Sequence, residues 1–165
     1  MKVELRPETP ADEAVVTALI DRVFGPGRFV KTAERLREGN RAIGAVSFVA
    51  RRGERLVGAV RLWPLRIGTT QALLLGPLAV EAGHRNGGLG ARLISSACKA
   101  ADAERAWPIL LIGDESYYAP FGFSAALAGE VILPGPVDPR RVLVRPGAMA
   151  RAPVGLAAVA PELGW

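Results

Sequence analysis

The chain has one cysteine, Cys98, and one histidine, His84, in 165 residues. A single cysteine cannot close an intramolecular disulfide, so a disulfide-stapled secreted scaffold is excluded. A zinc site built on cysteines goes with it, and one histidine leaves few nitrogen ligands, so no metal site is expected. No apolar run approaches the ~18 residues of a membrane span. Lys2, Glu4, Arg6, Glu8, Asp12 and Glu13 break up the first residues, leaving no apolar stretch for a signal peptide. A soluble, cytoplasmic protein without a membrane partner is the expectation.

What is present is an ordinary globular balance, with 50% hydrophobic and 22% charged residues, which excludes a disordered chain. The length suits one domain over residues 1–165. Glycine (19) and proline (13) together make 32 of 165 residues, about a fifth. That exceeds the ~12% of average proteins but falls short of the ~25–30% that marks low complexity, so the excess should have local uses. The formal charge is 21 − 16 = +5. It favours an anionic partner, and charge alone does not choose between nucleic acid, an acidic surface and a phosphorylated cofactor. No basic helix or aromatic stacking motif is evident, so nucleic acid is not expected.

Hydrophobic periodicity gives the order of elements. Val3–Leu5 reads as a short strand. Thr9 or Asp12 can cap a helix with Pro10 in its first turn, and Ala14, Val15, Ala18, Leu19, Val23 and Phe24 recur at helical spacing until Gly25. A second helical stretch runs from Thr32 to Glu38. Strands then follow over Val46–Arg52, Arg55–Leu62 and Ala72–Val80, the first two joined by a hairpin turn at Gly53. Ala72–Val80 is nearly unbroken apolar sequence, as in a strand buried on both faces. Pro77 lacks a ladder donor, so that strand should bulge there. After a glycine loop come a helix with Leu89, Leu93, Ala97 and Ala100 on one face, a buried strand over Trp107–Ile112, and a terminal hairpin of Glu130–Leu133 with Arg141–Val144. A crossover helix between two strands makes them parallel, so the class is α/β (α+β) with a mixed sheet.

The loop between strand and helix reads Arg85-Asn86-Gly87-Gly88-Leu89-Gly90. The first N–H groups of a helix have no intrahelical acceptor, and the helix dipole adds roughly half a positive charge there. Glycine lets an anion approach without a Cβ in the way. Arg85 and Arg92 supply full charges. Together these point to a phosphate or diphosphate site. The P-loop ending Gly-Lys-Ser/Thr is missing, since Gly90 is followed by Ala91 and Arg92. The G-x-G-x-x-G spacing of dinucleotide folds is missing too.

Arg85-x-x-Gly88-x-Gly90 resembles the pyrophosphate signature of the GNAT acyl-CoA N-acyltransferases. Leu75–Val80 is similar to that family's fourth strand. Tyr117-Tyr118-x-x-Phe121-Gly122-Phe123 is similar to its aromatic motif, and Gly113-Asp114 with the Leu133–Val137 tail resembles a bacterial subgroup, the YhbS-like predicted acetyltransferases. The resemblance spans about Val3 to Val144. It implies a GNAT-like fold in which two central parallel strands splay apart, and an acetyl-CoA-dependent N-acetyltransferase acting on a primary amine. It implies acetyl-CoA held by Leu78, Ala79, Val80, Arg85, Asn86, Gly87, Gly88, Leu89, Gly90 and Ala91, with no metal. Tyr118 matches the family's general acid, and Tyr117 is expected to pack.

The general base is not fixed by the motif. Asp114 or Glu115 would fit it, and surface carboxylates would look the same. Asp21 and Glu34 are candidate amine contacts of the first two helices. Cys98 reads as a packing residue, His84 as a loop residue, and Arg51-Arg52 with Arg55 as a solvated hairpin end. The alternative reading is a non-catalytic acyl-CoA or nucleotide-binding module on the same fold. The acceptor stays open between a small molecule and a peptide, and the oligomeric state between monomer and homodimer.

Overall fold

A computed structural model describes residues 2–148 and 151–165. β1 (Val3–Pro7) leads through a tight turn at Pro10–Asp12 into α1 (Glu13–Phe24). Asp12 organises this junction. Its carboxylate accepts from Arg6 Nη1 and Nη2 at 2.7 and 2.8 Å, from the Thr9 N–H at 2.8 Å and from Arg51 at 3.0 Å. A carboxylate this well bonded is stable buried, and its side chain is only 2% exposed. Gly25, at φ +67°, ends α1 where the sequence predicts. The second helix is shorter than its pattern suggests: α2 covers Thr32–Arg35, and turns carry the chain on to Gly39.

β2 (Phe48–Arg52), β3 (Arg55–Ile67) and β4 (Thr70–Val80) form an antiparallel meander. α3 (Leu89–Glu104) then crosses over to β5 (Ile109–Ile112), which pairs parallel to β4. The sheet order is β1-β2-β3-β4-β5-β7, with β7 at Val142–Arg145. α1 and α3 cover opposite faces. Val16, Leu19 and Ile20 of α1 meet Val49, Ala59 and Ala79. Leu89, Leu93 and Ala97 of α3 meet Ala50, Val60, Leu62 and Leu73. The alternation of strand side chains supplies both layers from one sheet.

The expected bulge is present. Val60 pairs with Leu78 and Leu62 with Leu75, so Gly76 and Pro77 together oppose Arg61. The extra residue shifts the alternation by one. Leu73 and Leu75 before it, and Leu78 and Val80 after it, therefore all face the α3 layer.

The terminal hairpin expected from Glu130–Leu133 and Arg141–Val144 does not form. β6 (Val131–Ile132) pairs instead with β8 (Gly155–Val159), and β7 pairs antiparallel with β5. Pro134, Pro136 and Pro139 in the connection lack backbone donors, which disfavours a tight two-strand return. β7 meanwhile satisfies the free edge of β5. β8 lay outside the sequence reading, and it pairs with Leu65–Ile67, which carries β3 beyond the Leu62 expected.

Asp12 provides a test of the fold. Its bonds to Arg6, opposed by burial and helped by Thr9 and Arg51, hold its carboxyl below the usual carboxylate range. A depressed folded-state pKa stabilises above the unfolded value of ~3.9 and loses that contribution as pH falls below it. Asp12→Ala should cost about 1–3 kcal/mol in chemical denaturation at neutral pH and flatten the acid limb of the stability curve. An unchanged midpoint would mean the junction is held by apolar contacts alone.

Candidate active site

β4 and β5 pair through only two positions, Leu73 with Ile109 and Leu74 with Leu110. β4 continues to Val80 and β5 to Ile112 without further pairing, so the strands part. The parting opens a cleft of about 680 Å³ lined by Leu75–Leu78 of β4, Leu111–Asp114 at the end of β5, Tyr117 and Tyr118. The α1–α2 connection contributes Phe24, Arg28, Val30 and Lys31, and Pro136, Val137 and Arg141 close the far side.

Strand geometry fixes what β4 offers this cleft. The Glu81 N–H donates to the Val57 carbonyl at 2.9 Å. Antiparallel bonding alternates, so Ala79 also bonds towards β3, and the N–H and C=O groups of Leu78 and Val80 point the other way, into the gap. The Val80 carbonyl accepts from Arg85 Nε at 3.1 Å. Ala79 is buried and turned to the α1 layer, so it presents neither side chain nor backbone to the gap.

The glycine loop follows directly. Ala82–Gly87 forms a tight turn, and Gly88 takes φ +74°, a left-handed conformation that side chains resist. The Arg92 N–H donates to the Gly88 carbonyl at 3.1 Å, so the N–H groups of Leu89, Gly90 and Ala91 precede the first helical bond. A Cβ at Gly87 or Gly88 would have nothing within 4 Å, so the backbone is open to approach. Leu89 buries its side chain under the sheet and leaves only its backbone at the helix start. Arg85 and Asn86 are exposed. Arg92 turns away and bonds the Val3 carbonyl. Glu81, the acid nearest the loop, is held by Arg22 at 2.9 Å and Arg55 at 2.6 Å. This cradle has the shape and sign for a diphosphate.

Across the gap, Tyr118 ends α4 (Glu115–Tyr118), a single turn. Its ring lies on the backbone of Gly113: a Cβ there would sit 2.6 Å from Tyr118 Cε2. Tyr117 and Phe123 pack edge-on against it, with centroids 4.9 and 6.0 Å away. Burial, reinforced by Tyr117 and Asp114 and opposed by Arg141, pushes the Tyr118 phenol up to about 12. It is therefore protonated at neutral pH.

Tyr117 does more than pack. It is 45% exposed and lines the cleft. Its hydroxyl reaches α3, 2.9 Å from where a Cβ of Gly90 would stand, with Leu78 beside it. Only the topology brings α4 to the start of α3, so no local pattern announces this contact.

The two candidate bases separate. Asp114 lines the cleft and accepts from Arg141 Nη1 at 2.8 Å. Glu115 accepts from the Ala125 N–H at 2.7 Å and is occupied holding the following segment. Asp21 pairs with Arg28, and buried Glu34 is shared by Arg28 and Arg37. Burial pushes the Cys98 thiol up to about 11, which suits a packing residue. Among the described residues no three His, Cys, Asp or Glu side chains gather as metal ligands, and no helix is long and apolar enough to cross a membrane.

Residues 44–125 match the family model described as an acetyltransferase (GNAT) domain. That match identifies a GNAT acetyltransferase domain within the chain. The GNAT N-acetyltransferase YhbS of Escherichia coli, solved with CoA, has the same fold, with TM-score 0.77 and 24% identity over 97% of this chain and 91% of that one. A GNAT acetyltransferase of Brucella melitensis, solved with acetyl-CoA, gives TM-score 0.69 and 22% identity over 96% of each chain. Naa50 of Arabidopsis thaliana, bound to the bisubstrate analogue CoA-Ac-MVNAL, gives 0.57 and 18% over 87% of this chain and 97% of that one. No curated protein matches the sequence.

Gly113 is the tightest point of the site. Gly113→Ala forces the Tyr118 ring to move. It should lower turnover about 10²-fold, since a misplacement of ~1 Å costs that much. Steady-state rates set against thermal stability would separate this from unfolding. Parent-like turnover would show that the ring position is not critical.

Proposed function

We propose that the chain transfers an acetyl group from acetyl-CoA directly to a primary amine. The observation that carries this is the parting of β4 and β5 after Leu74 and Leu110. It sets a free strand edge and a protonated phenol on one cleft, and β4 runs on from that cleft to the open glycine cradle.

In this reading the backbone N–H groups from Gly87 to Ala91, with Arg85 and Asn86 beside them, hold the diphosphate. The backbone groups of Leu78 and the N–H of Val80 pair with the pantetheine arm as a neighbouring strand would. An N–H of this edge also polarises the thioester carbonyl. Ala79 supports the edge from behind through its bonds to β3. The amine enters from the side of the α1–α2 connection and attacks the carbonyl carbon. The carbon–sulfur bond breaks, and the amine's proton is lost as sulfur gains one.

Tyr118 supplies the sulfur's proton. A thiol has pKa ~8.5, so a phenol raised to about 12 is the weaker acid: its proton moves to sulfur only as negative charge builds there, and the proton released by the amine restores the phenol. That keeps the phenol neutral in the resting enzyme. Asp114 is the cleft carboxylate nearest this chemistry, and it is bonded to Arg141. A water relay between the amine and Asp114 fits this arrangement.

Two measurements test the reading. Tyr118→Phe should lower kcat by about 10²–10⁴-fold while calorimetry shows unchanged acetyl-CoA affinity. Gly87→Glu places a carboxylate in open space at the cradle without backbone strain. It should abolish acetyl-CoA binding and leave the thermal midpoint unchanged. Undiminished turnover in the first variant removes Tyr118 as the acid, and undiminished affinity in the second places the diphosphate elsewhere.

A further inference from the structure

The acceptor end of the cleft has an uneven charge balance. Four cations line it: Arg28, Lys31, Arg37 and Arg141. The carboxylates bonded to them are three, Asp21, Glu34 and Asp114. The sum is 4 − 3 = +1, and each of the three acids already bonds an arginine. Asp21 and Glu34 both bond Arg28, Glu34 also bonds Arg37, and Asp114 bonds Arg141.

The guanidinium donors, in contrast, are in excess. Arg37 stands at the β4 bulge, its Nη2 2.8 Å from where a Cβ of Gly76 would lie. It is 13% exposed, and only its Nη1 is bonded, to Glu34. Its Nε is buried without a partner among the described residues, an arrangement that is costly unless something else compensates. Arg141 stands on the opposite wall at the end of β5. It uses Nη1 for Asp114 and, among the described residues, leaves Nε and Nη2 unbonded. Lys31 makes no ion pair among the described residues. Phe24, Val30 and Val137 line the same cavity and supply apolar surface between the charged groups.

On the reading that this cleft acetylates an amine, we propose that the acceptor is an amine that also carries a carboxylate, received by the guanidinium groups of Arg37 and Arg141. A planar carboxylate takes two guanidinium N–H donors at once. A polyamine or other polycation would meet a site that already carries one positive charge in excess. The same surplus answers the need for a neutral nucleophile. Positive neighbours disfavour the protonated ammonium, so the amine loses its proton more readily than in water. The carboxylate binds the acceptor, and the arginines that bind it also prepare the amine.

The test uses the common L-amino acids and their C-terminal amides as a paired acceptor panel, with acetyl-CoA and thiol release as readout. The free acids should exceed their amides in kcat/KM by about tenfold or more. Arg141→Gln, at a half-exposed position, should collapse that preference towards one while acetyl-CoA affinity stays the same. Arg37→Gln should do likewise through KM. Amides turned over as well as acids, or spermidine preferred to both, overturn the proposal. A second arm needs no turnover: calorimetric titration of N-acetyl-L-phenylalanine against its amide in the presence of CoA. Equal affinities there also overturn it. If no amine in the panel is acetylated, the acetyltransfer reading fails, and this second arm still decides the carboxylate question.

Discussion

Two parallel strands cannot stay paired and also leave a gap between them. β4 and β5 resolve the conflict by separating after Leu74 and Leu110. Every backbone group that loses a neighbour at that point needs another partner, because buried N–H and C=O groups are costly to leave alone. β5 has β7 on its other edge, and β4 has β3. The edges facing the gap keep open bonding capacity at Leu78 and Val80. The cradle at Gly87–Ala91 repeats the same situation at a helix start. The region therefore presents two groups of unpaired backbone donors, one on the β4 edge and one at the start of α3, made without any specialised side chain. Side chains are added only at its far end, where Tyr118 lies across Gly113.

The charge of the chain is distributed by pairing. Asp12, Glu34, Glu81, Asp102, Asp114 and Asp138 each accept from at least one arginine. The excess of arginine over acid shows where cations outnumber acids. One such place is the loop at Arg85, and another is the cleft, where Arg28, Lys31, Arg37 and Arg141 face three acids. A global charge of +5 does not locate either. The ion-pair map does.

Much of the scaffold was legible in the residues. Apolar spacing over Ala14–Phe24 marks a helix because one face must be buried, and Gly25 ends it. Pro77 in an apolar run marks a bulge because a missing donor must be accommodated. The glycine loop is legible because a strand and a helix flank it. The tail was not. Gly155–Val159 is small and short of branched residues, so it carries little strand signal, and its partners β3 and β6 are far away in sequence. The prolines of 134–139 look like a hairpin turn but connect two strands that do not pair with each other. Tyr117 and the arginines of the acceptor end were invisible for a related reason. Arg28, Arg37 and Arg141 come from separate elements, and no spacing rule connects residues that only the completed topology brings together.

The bulge at Gly76–Pro77 has a wider consequence. It divides β4 into two stretches whose side-chain phases are set separately. The stretch before it is locked into the interior with β5. The stretch after it forms the rim of the gap. A substitution that shifts one stretch is absorbed at the kink and need not propagate to the other. The strand thus works as a buried anchor joined by a mechanical joint to an adjustable arm, so the rim can be retuned while the anchor holds the sheet.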